Sequence, residues 1–248
     1  EGAQWTAESL ADWLTIAGGA SGTGNGTISY TVDRNSGAEL RDGQIKVTPV
    51  EESDEWEITT VDSEGNVGSY TSLSFDPSGN PAISYRDATN SHLKYASFDG
   101  QDWSTATIDS EGSVGWHTSL SFDPSGNPAI SYYDGTNQAL KYASFDGQDW
   151  STATIDSEGQ VGSHTSLSFD PSGNPAISYF DETNGLPALK FASFDGQDWN
   201  TQTIDSEGNV GSYTSLRFDP SGNPAISYRD TTNGDLKFAF KAPFRGGR

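Results

Sequence analysis

Short runs in which apolar and polar residues alternate dominate the chain from about residue 60 onward. The run HTSLSFD (117–123) alternates small or polar residues with a leucine and a phenylalanine. PAISYYD (128–134), ALKYASFD (139–146) and WSTATID (150–156) follow it, and turn residues such as DPSGNP and DGQD separate them. A period of two between Gly, Pro, Asn and Asp clusters predicts β-strands, and none of these runs has a helical period.

These runs belong to an internal repeat. The segment FDPSGNPAISY occurs four times, beginning at Phe75, Phe122, Phe169 and Phe218. Four tryptophans keep the same steps, at Trp56, Trp103, Trp150 and Trp199. The steps are 47, 47 and 49 residues, and Leu186 and Pro187 account for the longer one. A period in the forties built from short strands predicts a β-propeller with about four strands per repeat.

The number of strands predicts how the propeller closes. The last repeat, DLKFAFKAPFRGGR, has no Trp strand after it, whereas WEITTVD (Trp56–Asp62) precedes the first repeat. The simplest closure lets Trp56–Asp62 complete the fourth blade, which leaves no free sheet edge. The sequence therefore predicts an all-β protein with a four-bladed propeller at residues 53–241, a domain at residues 1–52 and a tail at 242–248.

One segment of the repeat resembles a known motif. SFDGQDW occurs at residues 97–103, 144–150 and 193–199 and is similar to the Asp-box of bacterial propellers, although one residue shorter. The resemblance implies a structural role, in which the aspartate caps a turn and the tryptophan packs between neighbouring sheets. The residues in these roles are Asp99, Asp146, Asp195, Trp103, Trp150 and Trp199.

Residues 1–52 do not match the repeat and resemble the BACON family of immunoglobulin-like β-sandwich domains. The segments that carry this resemblance are WTA (Trp5–Ala7), WLTI (Trp13–Ile16), SGTGNGTISYTV (Ser21–Val32) and RDGQIKV (Arg41–Val47). The resemblance implies a bacterial surface or secreted setting and contact with carbohydrate or mucin. The strand that usually precedes WTA is absent, so we expect an incomplete sandwich that takes a strand from another chain. The alternative is that other local strands close the domain.

Composition and charge narrow the class of protein. The 248 residues include no Cys and no Met, so disulfides and thiolate metal sites are excluded. The net charge of −22 argues against nucleic acid, because binding phosphate needs clustered Lys and Arg. The acidity, the 28 glycines and the absence of an apolar run near 20 residues predict an extracellular, secreted β protein with no membrane span.

The repeats predict a protein without catalytic activity and without a cofactor. Nearly all carboxylates occur once per repeat, and equivalent copies give equal environments, whereas acid–base catalysis needs two groups with separated pKa values. Two metal sites remain as alternatives. His117 and His164 could share an ion across adjacent blades, and the DSEG loops carry oxygen ligands suited to calcium at Asp62, Asp109, Asp156 and Asp205.

Differences among the repeats point to one face of the predicted propeller. The DPSGNP and FDGQD turns hardly change, whereas the loops of the opposite face vary. His117 and His164 of this face align with Tyr70 and Tyr213, so the position accepts either ring. Aromatic rings beside Asn and Asp suit sugar stacking and equally suit a protein contact. The candidate ligand-contacting residues are Arg86, Trp116, His117, Tyr133, His164, Phe180 and Arg229.

Two functional hypotheses follow. In the first, the chain is a non-enzymatic, adhesive subunit of an extracellular fibre or surface layer. Copies of the chain would exchange strands through the N-terminal domain, and the propeller would be displayed. In the second, the chain is a lectin-like module in which near-identical repeats give weak carbohydrate sites that add by multivalency. The partners are then other copies of the chain in the first hypothesis, and a glycan or surface protein in the second.

Overall fold

The computed structural model describes residues 2–37, 39–50 and 56–241. Within these residues the protein is all-β, with strands β1 to β20 and a single 3-10 turn at Thr183–Gly185. The chain divides into two compact units, residues 1–59 and residues 60–248. The predicted domain boundary at residue 52 stays a prediction, because residues 51–55, like the predicted tail at 242–248, lie outside the described residues.

The N-terminal unit contains two small antiparallel sheets. Its strands are β1 (Gln4–Ser9), β2 (Leu14–Gly18), β3 (Ser21–Thr23), β4 (Ser29–Val32) and β5 (Ile45–Pro49). One sheet has the order β3-β1-β5 and the other pairs β2 with β4. Ala7 and Leu14 are buried, whereas Tyr30, Val32 and Val47 are mostly exposed. The apolar core of this unit is therefore small, and strand donation by another chain stays a prediction.

The second unit repeats one antiparallel sheet in which strands follow chain order. Sheet 1 contains β6 (Val67–Phe75), β7 (Pro81–Asp87), β8 (His92–Phe98) and β9 (Trp103–Asp109). Sheet 2 contains β10 (Trp116–Phe122), β11 (Pro128–Asp134), β12 (Ala139–Phe145) and β13 (Trp150–Asp156). Sheet 3 contains β14 (Val161–Phe169), β15 (Pro175–Asp181), β16 (Ala188–Phe194) and β17 (Trp199–Asp205). Sheet 4 contains β18 (Val210–Phe218), β19 (Pro224–Asp230) and β20 (Asp235–Phe240).

The predicted closure by Trp56–Asp62 is not confirmed. Sheet 4 has three strands, and residues 56–62 form no strand. Trp56 is 93% exposed, as expected for a segment that has not joined a sheet. Contacts across the repeats form between consecutive sheets, but Leu73 of sheet 1 and Leu236 of sheet 4 stay in solvent. The described sheets therefore form an open series rather than a closed four-bladed ring.

The core lies between consecutive sheets. We call the side of a sheet that touches the next sheet its trailing face, and the side that touches the previous sheet its leading face. Between sheets 1 and 2, Leu93 of the trailing face packs with Val114, Leu120 and Ile130 of the leading face. The same cluster recurs between sheets 2 and 3 and between sheets 3 and 4. Each buried Leu, Ile or Val contributes about 1.5–3 kcal/mol, so this stacking supplies the main hydrophobic stabilisation.

Aspartates fix the turns between strands. Asp99 Oδ1 accepts hydrogen bonds from the backbone N–H groups of Gln101 and Asp102, each at 2.8 Å. Asp146 and Asp195 do the same in their repeats. These backbone hydrogen bonds lower the pKa of Asp99 below its ordinary value. Each carboxylate therefore caps its turn, and the assignment of these turns to the Asp-box stays a prediction.

The tryptophan that follows each of these turns packs differently in the first sheet. Trp150 lies 5.2 Å from Tyr95 of sheet 1, and Trp199 lies 5.2 Å from Tyr142 of sheet 2, measured between ring centroids. Both tryptophans therefore lie between neighbouring sheets. All three tryptophans also contact a phenylalanine of their own sheet at 5.5–5.6 Å, and for Trp103 of sheet 1 this Phe98 contact is the one aromatic contact among the described residues.

Candidate functional site

A row of four rings crosses the four repeat sheets. Tyr70, His117, His164 and Tyr213 occupy the same position in β6, β10, β14 and β18. Consecutive ring centroids lie 4.8, 4.6 and 4.4 Å apart. We call these four residues the ring row. It joins one side chain from each sheet into a continuous aromatic surface.

A β-bulge in each first strand produces the ring row. The four residues have φ between +51° and +56°, in the left-handed region, and the pairing register shifts around each of them. A bulge re-aims a side chain away from the regular alternation of a strand. Non-glycine residues in this region are strained, and such strain concentrates at functional sites. The repeated bulge therefore marks the ring row as a candidate site.

Threonines next to the rings hold the row in place. Thr118 Oγ1 donates a hydrogen bond to the Tyr70 carbonyl oxygen at 2.7 Å, and Thr214 Oγ1 donates to the His164 carbonyl oxygen at 2.9 Å. Each bond ties one sheet to the bulge of the preceding sheet, so the spacing of the rings is preset. A shallow cavity of about 350 Å³ lies along the row. Its lining residues are Tyr70, Thr71, His117, Thr118, His164, Thr165, Tyr213 and Thr214.

The two histidines of the row are neutral near pH 7. Burial lowers the pKa of His117 to about 4, and the neighbouring His164 adds to this effect. Burial also lowers the pKa of His164, although Glu182 acts in the opposite direction. A neutral imidazole offers one hydrogen-bond donor and one acceptor beside an apolar ring face. The row can therefore contact a ligand that has both hydroxyl groups and apolar patches.

The metal site shared by His117 and His164 stays an alternative. The rings lie 4.6 Å apart, but among the described residues no group of three or more His, Cys, Asp or Glu side chains is placed to hold an ion. Zinc sites ordinarily use three or four protein ligands.

A buried arginine lies at one end of the row. The Arg86 guanidinium lies 4.1 Å from the Trp116 ring centre, and Trp116 lies 5.3 Å from Tyr70. Arg86 Nη2 donates to Ser91 Oγ and Ser113 Oγ, each at 3.3 Å, and Trp116 Nε1 donates to Ser113 Oγ at 3.1 Å. The buried Nε of Arg86 has no hydrogen-bond partner among the described residues. This group adds a fixed cation and an indole to the ring row.

The other candidate residues differ in their exposure and in their contacts. Phe180 is buried, and its ring meets His164 edge-on at 6.0 Å. Tyr133 is half-buried opposite Trp116 in the β10–β11 pairing, and burial raises its pKa. Arg229 is exposed opposite Ser212 in the β18–β19 pairing. The sequence-based candidates omitted Tyr70 and Tyr213, although the alignment of the repeats places both at the histidine position.

The candidate calcium ligands form ion pairs with lysines, and three of the four pairs join neighbouring sheets. Asp109 at the end of β9 accepts a 2.6 Å hydrogen bond from Tyr132 Oη and pairs with Lys141, both in sheet 2. The same arrangement recurs for Asp62 with Tyr85 and Lys94, Asp156 with Tyr179 and Lys190, and Asp205 with Tyr228 and Lys237. Burial favours the protonated form of Asp109, but the bonds from Lys141 and Tyr132 outweigh it and lower its pKa. These carboxylates therefore face ammonium groups rather than an open oxygen cage.

Comparison with known proteins supports the fold. The BACON family model, described as "Putative binding domain, N-terminal", matches residues 3–62. No curated protein matches the chain. Among the described residues, no helix has the length and apolar character that crossing a membrane requires.

Solved structures resemble the chain at low sequence identity. A protein of unknown function from Dyadobacter fermentans is 11% identical, with a TM-score of 0.56 over 70% of this chain and 65% of that one. A Hadza microbial sialidase is 11% identical, with a TM-score of 0.54 over 96% and 68%. The fungal Aleuria aurantia lectin, a six-bladed β-propeller with fucose recognition, is 14% identical, with a TM-score of 0.50 over 82% and 72%. At these identities the likeness shows a propeller-like fold alone.

Proposed function

We propose that this chain is a non-enzymatic, extracellular carbohydrate-binding protein and that the ring row is its sugar site. The observation that carries the proposal is the open row of four rings spaced 4.4–4.8 Å apart on strained bulges. Aromatic faces stack on the apolar faces of sugars, and the neutral imidazoles can bond hydroxyl groups. Lectins and carbohydrate-active enzymes among proteins of similar fold are consistent with this class of ligand.

The residues that line the cavity favour binding over hydrolysis. All eight are tyrosine, histidine or threonine, and none is acidic. Glycoside hydrolysis ordinarily requires a pair of carboxyl groups flanking the scissile bond. The cavity itself supplies no such pair, so we propose recognition without cleavage.

Histidine NMR provides a site-specific test. The chain has three histidines, and His92 lies outside the ring row. We would titrate the full chain with methyl fucoside, methyl galactoside, methyl glucoside and sialic acid while following the imidazole signals. Binding should shift the His117 and His164 signals and leave that of His92 unchanged. No shift with any of these sugars, or a shift of His92 alone, would contradict the proposal.

A matched pair of variants separates the site from the rest of the surface. Tyr213→Asn removes a largely exposed ring and keeps a residue that tolerates positive φ. We expect it to weaken binding about tenfold, since an aromatic contact contributes roughly 0.5–1.5 kcal/mol beyond the area that it buries. Tyr30→Asn removes an exposed tyrosine from the N-terminal unit and should leave the affinity unchanged. Equal losses from both variants would place the sugar elsewhere.

The fibre hypothesis stays a separate prediction. It requires strand exchange through the N-terminal unit, where β3 and β5 are edge strands with one partner each. Exposed sheet edges are templates for pairing with another chain. Deletion of residues 2–9 would abolish an assembly built in this way, as negative-stain imaging can show.

A further inference from the structure

The three contacts between consecutive sheets share one design. A leucine of the third strand on the trailing face is buried by the leading face of the next sheet. These leucines are Leu93, Leu140 and Leu189. A leucine of the first strand on the leading face is buried in return. These are Leu120, Leu167 and Leu216. The repeated sequence therefore places one leucine on each of the two faces that meet in a sheet contact.

The two ends of the series lack their neighbours. Leu73, on the leading face of sheet 1, is 59% exposed, although its equivalents Leu120, Leu167 and Leu216 are buried. Leu236, on the trailing face of sheet 4, is 84% exposed, and Phe238 beside it is 69% exposed. Contiguous exposed apolar residues of this kind mark interaction surfaces. Sheet 4 thus presents an uncovered trailing face. The leading face of sheet 1 is uncovered around Leu73, whereas Tyr85 and Lys94 on the same face are buried and bind Asp62.

The aromatic residues of the two end faces are complementary. Trp150 packs on Tyr95 of the preceding sheet, and Trp199 packs on Tyr142 in the same way. Trp103 has the position of these tryptophans and contacts Phe98 of its own sheet as they contact Phe145 and Phe194, but no ring of a preceding sheet lies against it among the described residues. Phe238 has the position of the two tyrosines, and sheet 4 is followed by no further sheet among the described residues. Trp103 and Phe238 are therefore the two halves of one such pair.

Glycines show how closely a neighbour fits the leading face. A Cβ atom added to Gly115 would lie 2.9 Å from the Leu93 Cα, and one added to Gly211 would lie 2.7 Å from the Leu189 Cα. These glycines let the backbones of adjacent sheets approach. Gly68 is the equivalent position in sheet 1, and a Cβ there would meet nothing within 4 Å. The leading face of sheet 1 therefore has room beside Gly68 for the backbone of a preceding sheet.

We propose that the trailing face of sheet 4 in one copy of this chain docks on the leading face of sheet 1 in a second copy. The contact would repeat the internal ones, with Leu236 against Leu73 and Phe238 against Trp103. Residues 56–62 of the second copy carry the sequence of a Trp strand and end at Asp62, which already binds Tyr85 as Asp109 binds Tyr132. They would add the missing fourth strand beside β20.

Closure of one chain on itself is the less favourable way to cover these faces. The three internal contacts set the angle between sheets, and their close glycine approaches leave little room for change. Joining sheet 4 to sheet 1 of the same chain would require all three contacts to shift. Neighbouring copies can cover both faces without altering any of the three internal contacts. Since the two faces differ, the contact is head-to-tail and forms either a ring or an open chain of copies.

Light scattering of the full chain, with and without single substitutions, tests the proposal. The wild-type chain should form species of at least twice the mass of a single copy. Leu73→Asp and Leu236→Asp each add a charge to one end face at a solvent-exposed position, so circular dichroism should show an intact fold. Each variant alone should be monomeric. Leu186→Asp changes an exposed leucine in the loop after β15, and this control should assemble as the wild type does.

A mixture of the two variants gives the sharpest result. The Leu73→Asp chain keeps an intact trailing face, and the Leu236→Asp chain keeps an intact leading face. An equimolar mixture should therefore form a heterodimer with one copy of each. A monomeric wild-type chain at all concentrations would overturn the proposal, as would assembly that survives both substitutions. The second outcome is the one expected if the N-terminal unit alone joins the copies.

Discussion

The ion pair between Asp109 and Lys141 permits a quantitative prediction about stability. Asp109 lies at the end of sheet 1 and is buried against Lys141 and Tyr132 of sheet 2. Asp109→Asn keeps the shape of the side chain and removes its charge. Lys141 then remains buried without a counter-ion, because its ammonium group is almost fully enclosed.

The expected cost follows from this burial. Removing one partner of a buried ion pair typically costs 3–5 kcal/mol, since the remaining charge stays desolvated. We expect Asp109→Asn to lower the free energy of unfolding by about 3 kcal/mol at pH 7. The pKa of Asp109 is lowered in the fold, so its contribution is present above the unfolded pKa of 3.8. That contribution should disappear as the pH falls from 3.8 through the folded pKa.

The repeat provides internal controls for this experiment. Asp205→Asn breaks the equivalent pair in sheet 4, where the Lys237 side chain is 32% exposed and can be hydrated. Its effect should be clearly smaller. Combining Asp109→Asn with Lys141→Met removes the unpaired charge and should restore most of the lost stability.

Urea unfolding followed by far-ultraviolet circular dichroism measures these differences. The midpoint and the slope must both be compared, because repeat proteins can unfold in parts. The reasoning is refuted if Asp109→Asn stays within 1 kcal/mol of the wild type. It is also refuted if Asp205→Asn is the more damaging change.

Three further predictions concern the core, the ring row and the sheet contacts. Leu120→Ala should lower the free energy of unfolding by about 3 kcal/mol, because Leu120 is buried. Leu73→Ala in the monomer should lower it by less than about 1 kcal/mol, because Leu73 is exposed. Thermal melts of the two variants test this difference. Burial lowers the pKa of His117 to about 4 in the folded protein, so the unfolded chain, with a histidine pKa of 6.5, takes up the proton first. The free energy of unfolding should therefore decrease as the pH falls from 6.5 toward 4. In His117→Tyr this decrease should be smaller by about 1–2 kcal/mol, a figure that allows for solvent screening. Equal pH profiles of stability for the variant and the wild type would contradict the prediction. Gly115→Ala should destabilise more than Gly68→Ala in denaturant titrations, because both have positive φ but only Gly115 meets a neighbouring backbone.

Local features of the sequence predicted the strands and turns of the repeats. The alternation in residues 117–123 and the PAISYYD run became β10 and β11, and the DPSGNP turn lies between them. These features depend on residues a few positions apart, so the period of two and the turn residues determine them. The sequence assigned seven candidates to one face, and the structure places Arg86 against Trp116 and His164 against His117 and Phe180. The ligand-contacting role of all seven, which include Tyr133 and Arg229, stays a prediction.

The tertiary structure decided what depends on contacts between sheets. Trp56–Asp62 has the sequence of a strand, but it joins no described sheet, and Asp62 binds Tyr85 and Lys94 of sheet 1. Asp109 looked like a calcium ligand until Lys141, 32 residues later, was placed against it. The ring row likewise joins residues 47 to 49 positions apart through bulges that the local sequence pattern did not predict. Sequence periodicity fixes each sheet because its hydrogen bonds are local, whereas the angle and burial at each sheet contact depend on packing across whole repeats.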